Sequence, residues 1–196
     1  MAIPTPVHVP HRIARPRLRY LAGLLVLAFG LTGAPPLAPL AASAAGQPCA
    51  FNVDSSLSEA AQRSNLGCAT GERTTAFSAE EFFELGIMVW RQDSRTIYVL
   101  PFGTNWRSYS DTFEDGQPER AWLAAPDFEL QEPQRGFGKL WREQLGGPGA
   151  PIGWATSTER GFDGAVQSFQ NGTLIRNDTG RIYVLNNNGS WLSQRL

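Results

Sequence analysis

The chain has 196 residues, 42% of them hydrophobic, with 17 basic against 18 acidic side chains. That length suits one domain with a real core rather than several, and the near balance of charge gives no electrostatic reason to hold nucleic acid. Two cysteines and two histidines leave little room for metal or nucleophilic chemistry.

Residues 1–45 read as a signal peptide. Arg12, Arg15, Arg17 and Arg19 form a basic start, Tyr20 to Ala34 is an apolar run, and Ala42-Ser43-Ala44-Ala45 supplies small residues for a cleavage site. The apolar run is about 14 residues, short of the roughly 20 that a permanent span requires, so no stable membrane span is expected after cleavage. The alternative is an uncleaved anchor. Cleavage leaves 13 of the 17 basic residues against 18 acidic ones, a net charge of about −5. The expected destination is secreted, extracellular or in the cell envelope. In such an oxidising setting Cys49 and Cys68 read as one disulfide, the alternative being two buried thiols. It would close a loop of roughly 20 residues, worth on the order of 3 kcal/mol.

The rest of the chain carries an internal echo. Leu66-Gly67-Cys68-Ala69-Thr70 returns as Ile152-Gly153-Trp154-Ala155-Thr156, Ile97-Tyr98-Val99-Leu100 as Ile182-Tyr183-Val184-Leu185, and Trp106 as Trp191. Such self-similarity predicts a supersecondary unit used twice, with repeat unit 1 over 46–114, a Pro-containing connector over 115–134 and repeat unit 2 over 135–196.

Unit 1 opens with helix formers from Ser56 to Arg63, behind Asp54 and Ser55 as caps. Ser78-Ala79-Glu80-Glu81 fits a capping box, predicting a second short helix through Phe83 and Leu85 that stops at Gly86. Strands are expected over 87–91, 96–100 and 105–109, with Gln92 to Arg95 as the first turn. In unit 2 a helix runs through Leu140 to Glu143 up to Gly146, and a second takes 164–170. Strands follow at 173–176, 182–185 and 190–192, the last two joined by the tight Asn186 to Gly189 turn. The expected fold class is α+β, mainly antiparallel β: two repeated units, each of short helices plus a three-stranded β-meander, packed as one domain.

The chemistry is conspicuous by what it lacks. His8 and His11 fall inside residues 1–45, so the processed chain has no imidazole base, nucleophile partner or metal ligand. No catalytic residue, metal site or cofactor is expected. Carboxylates are the exception: Asp111, Glu114, Asp115 and Glu119 cluster after the third strand, and paired carboxylates can hydrolyse glycosides or hold Ca²⁺. A solvated acidic turn explains them more simply, and their spacing matches no EF-hand loop. Six tryptophans are the remaining signal. Trp106 and Trp191 occupy matching places and read as core, Trp154 reads as buried, and Trp122 and Trp141 are undecided between core and surface. Trp90 has Arg176 as its counterpart and should reach solvent. Trp90 with Trp122 is the expected aromatic ligand surface.

The run Ile152-Gly153-Trp154-Ala155-Thr156-Ser157-Thr158-Glu159, followed by Gly164-Ala165-Val166-Gln167-Ser168-Phe169-Gln170-Asn171-Gly172, resembles the LGFP repeat of secreted and cell-envelope bacterial proteins. Ala69 and Ala155 stand where that repeat carries proline. The resemblance implies export and an envelope-facing role and supplies no catalytic residues. The expected function is a secreted, non-enzymatic binding or attachment module for a cell-wall or other glycan. The alternatives are a structural or protein-interaction module of the envelope, and a carboxylate glycoside hydrolase using Asp111 and Glu114.

Overall fold

A computed structural model of the protein describes residues 48–195; the signal peptide expected over 1–45 lies outside them. Its elements in chain order are α1 (Ser58–Arg63), β1 (Thr74–Phe83), β2 (Gly86–Arg91), β3 (Thr96–Pro101), β4 (Arg107–Ser110), α2 (Arg135–Glu143), β5 (Arg160–Phe169), β6 (Gly172–Arg176), β7 (Arg181–Asn186) and β8 (Trp191–Arg195). A short 3₁₀ turn, Gly147–Gly149, follows α2. All eight strands belong to one antiparallel sheet, ordered β4-β3-β2-β1-β5-β6-β7-β8 and curled into a half-barrel.

This corrects the expected fold. The described residues do not form two units of helices and three-stranded meanders; they form one continuous sheet with two small helices. The short helices expected at 78–85 and 164–170 are instead its two ten-residue central strands, β1 and β5. They pair along most of their length, from Thr74 opposite Val166 to Glu80 opposite Arg160. Both faces of these strands are covered, so Ala79, Glu80, Glu81 and Phe83 are all buried and the polar–apolar alternation of a half-exposed strand is absent. Residues 80 and 81 resemble the first turn of a helix, yet each carboxyl is driven into a different face of the sheet.

Residues paired across strands share a face, and the registers sort the core into three parts. On the convex face of β1–β3, Ala79, Phe83, Met88, Ile97 and Val99 pack under Phe137, Leu140 and Trp141 of α2. On the convex face of β5–β7, Phe169, Leu174, Ile182 and Val184 pack under Leu57, Ala60 and Ala61 around α1. Among the described residues no helix packs on the concave face. There Ile87, Val89 and Leu100 of one half meet Val166, Ile175, Tyr183 and Leu185 of the other. Glu80 lies in this interior and is fully engaged: Tyr183 Oη donates to it at 2.5 Å, Asn177 Nδ2 at 3.0 Å and Arg160 Nη2 at 2.6 Å. One carboxylate thereby ties β1, β5, β7 and the turn after β6 together.

Cys49 and Cys68 form a disulfide with Cα atoms 5.3 Å apart, joining the chain before α1 to the chain after it. Beside it Ala69 bridges both Phe51 and Phe169, so the staple holds α1's flanks against β5. Among the described residues no helix is long and apolar enough to cross a membrane.

Candidate functional site

Trp90 stands near the end of β2 on the convex face, in a cross-strand row with Ala79, Ile97 and Tyr109. That row places its indole beside the N-terminus of α2, and the ring of Phe77 meets it edge-on at 6.4 Å. The side chain is partly buried, and its Nε1 proton has no partner.

A cavity of about 530 Å³ opens against this indole. Its apolar wall is Trp90, Phe113 and Phe137, and its polar wall is Asp111, Glu114, Asp115, Glu119 and Glu159 with Arg95 and Arg135. Four separate stretches supply these groups: the β2–β3 hairpin, the segment after β4, the start of α2, and the residue preceding β5. The segment 111–119 is held in place from α2. Lys139 Nζ donates to Thr112 O at 3.0 Å and to Gln117 Oε1 at 3.1 Å, and Asp111 Oδ1 accepts the Phe113 N–H at 3.0 Å. Gly136, in the first turn of α2, lets Asp111 approach: a Cβ there would lie 2.7 Å from Asp111 Oδ1.

The two arginines are already spoken for. Arg95 faces Glu114 at 3.3 Å and Arg135 faces Glu119 at 3.0 Å, which leaves Asp111, Asp115 and Glu159 without a cationic partner at the cavity. Glu159 shows the consequence. Burial, with the charges of Glu119 and Asp111 added and Arg135 opposing, holds its carboxyl above the ordinary range. Both Arg95 and Arg135 have positive φ, 45° and 46°, which non-glycine residues rarely adopt. Two strained residues on one cavity are the kind of local cost that concentrates at functional sites.

Trp122 is elsewhere. It does not line the cavity, and it is 83% exposed on the connector. Its own φ is +60°, and the carboxylate of buried Glu132 grips both flanking peptides, accepting Ala121 N–H at 2.7 Å and Leu123 N–H at 2.9 Å. Burial opposes ionisation of Glu132, but those two donors and Arg142 at 2.7 Å outweigh it and lower its pKa. The indole is thus held out to solvent by a stiff loop. Of the two, Trp90 alone lines the cavity, where it joins the acidic cluster. Among the remaining tryptophans, Trp141 and Trp154 are buried and pack edge-on at 5.1 Å, whereas Trp106 and Trp191 are only partly buried.

Arg95, Arg135, Phe137 and Glu159 were missed by sequence reasoning. Glu159 lies inside the run compared with the LGFP repeat, but nothing in its spacing connects it to Asp111. Among the described residues no three His, Cys, Asp or Glu side chains are grouped so as to hold a metal ion. Comparison with protein-family models, with curated proteins and with solved structures finds no match to the chain.

Proposed function

We propose that the protein is an exported, non-enzymatic binding module that holds a cell-wall or related glycan in the cavity at Trp90. The cavity itself carries the reading: its aromatic wall faces a cluster of acidic side chains, of which Asp111, Asp115 and Glu159 make no salt bridge. A sugar ring meets an indole through its C–H face while its hydroxyls donate to carboxylate oxygens. The surplus of negative charge favours a glycan that also brings amino groups. Trp122, three residues beyond Glu119, offers a second aromatic contact outside the cavity. Export is supported by the basic–apolar–small-residue pattern of 1–45, by the disulfide, and by the likeness of 152–172 to an envelope-associated repeat.

Retention of the purified chain on insoluble peptidoglycan and on neutral polysaccharides tests this. Retention on at least one of them is expected, weakened about tenfold by Trp90→Ala, the loss of one buried aromatic contact. No retention on any matrix, or wild-type retention by the variant, would overturn the reading.

The raised pKa of Glu159 favours a second reading on the same cavity. A carboxyl whose pKa burial raises, on the same cavity as the side chain of Asp111, is the kind of group that serves as the acid of a glycoside hydrolase. This reading requires turnover of a retained glycan that disappears in both Glu159→Gln and Asp111→Asn, with retention kept. A wild-type chain that retains the glycan without cleaving it leaves the binding module as the function.

A further inference from the structure

The curl of the sheet brings its two outer turns together, and the contact is built from tryptophan. Trp106, entering β4, donates Nε1–H to Asn186 O at 2.9 Å and its backbone N–H to Gly189 O at 2.9 Å. Trp191, opening β8, donates Nε1–H to Pro101 O at 2.9 Å. The β3–β4 turn and the β7–β8 turn are thereby cross-linked in both directions. Along their seam runs a groove of about 470 Å³ whose lining includes Phe102, Thr104, Asn105, Ser190, Trp191 and Leu192. It shares no residue with the cavity at Trp90.

We infer that this seam is a second ligand site, which takes an uncharged, linear sugar chain. Phe102 and Trp191 lie nearly parallel, 22° apart with centroids at 6.0 Å, and Phe102 is 56% exposed. They stack on one another, so the ring left open to a ligand is that of Phe102, with Leu192, 41% exposed, also lining the groove. The indole N–H of Trp191 is spent on Pro101, which fixes the ring against which Phe102 stacks. Exposed Thr104, Asn105 and Ser190 add hydroxyl and amide groups that both donate and accept, as sugar hydroxyls do. No ionisable side chain lines the groove. In a chain whose processed form carries a net charge of about −5, a charge-free groove excludes neither partner sign by contact and rewards neither. Its complement is a neutral polyhydroxyl polymer.

The test uses linear hexasaccharides of neutral β-1,4-glucan, β-1,4-mannan and N-acetylglucosamine, titrated into the purified full-length chain and followed by tryptophan fluorescence and calorimetry. At least one is expected to bind and perturb the emission, with an affinity that does not change on adding ~0.5 M NaCl, since no charge is involved. Phe102→Ala removes the exposed ring of the stacked pair and is expected to weaken binding about tenfold. Thr104→Arg fills the groove without touching either ring and should weaken it at least as much. Three results would overturn the inference: no hexasaccharide binds, both variants bind like wild type, or binding is lost in Trp90→Ala while Phe102→Ala keeps it.

Discussion

Glu80 and Glu81 are neighbours in sequence with opposite fates. Glu80 meets three donors on the concave face, whereas Glu81, 1% exposed on the convex face, has an Oε2 with no partner. Burial, reinforced by the charge of Glu159 and countered in part by Arg120, lifts the Glu81 carboxyl to about 9. The folded chain therefore keeps a proton at neutrality that the unfolded chain releases near its ordinary value of 4.5. The unfolded state then binds fewer protons through this group, so the contribution of Glu81 to stability is greatest below about pH 4.5, falls as pH rises toward about 9, and levels off above it. Glu81→Gln is expected to flatten this slope and to raise stability at neutral pH by on the order of 2 kcal/mol. Urea unfolding across that range checks it; an unchanged slope in the variant would show that Glu81 titrates normally. Neither fate was legible locally, because each depends on which distant strand or loop covers the carboxyl. Trp90 was more legible, since the arginine at its internal counterpart marked a position that is not pure core.

The turns were the most readable elements. Asn186 to Gly189 and Gln92 to Arg95 join strands where their residues said they would, and Gly189 takes φ +89° at the tight corner. Helix α2 was also anticipated through Leu140 to Glu143, and it spans Arg135–Glu143. Gly86 was read as a helix stop with left-handed φ, but it starts β2 for a different reason. A Cβ on Gly86 would sit 2.6 Å from Leu100 O, and at Gly172, the matching start of β6, 2.4 Å from Leu185 O. Backbone rather than a flexible side chain blocks both positions. Gly86→Ala should therefore push β3 away and cost about 2 kcal/mol, measurable as a lower urea midpoint with an unchanged m-value. A loss below ~0.5 kcal/mol would mean that the ladder relaxes freely at this point.

Across the whole molecule, the half-barrel depends on its seam. Trp191→Phe deletes the indole donor to Pro101 O, a cost of about 1–2 kcal/mol, whereas Trp106→Phe costs about 0.5–1 kcal/mol because Asn186 O keeps the Gly189 N–H. Both act on one closure, so the double variant should depart from the sum of the singles by ~0.5 kcal/mol or more. Strict additivity in thermal or urea unfolding would show that the two turns hold independently. The seam also explains why these tryptophans, read as core from their matching places, are only partly buried: they close an edge where the sheet meets itself. From residues alone, the disulfide partners, the hairpin turns and most of the outer strands could be located, because each rests on chemistry within a few neighbouring positions. The two central strands, the acid-lined cavity and the aromatic seam required the folded chain. Their signals come from burial on both faces and from groups roughly 50 to 100 residues apart, and local propensity carries no information about such partners.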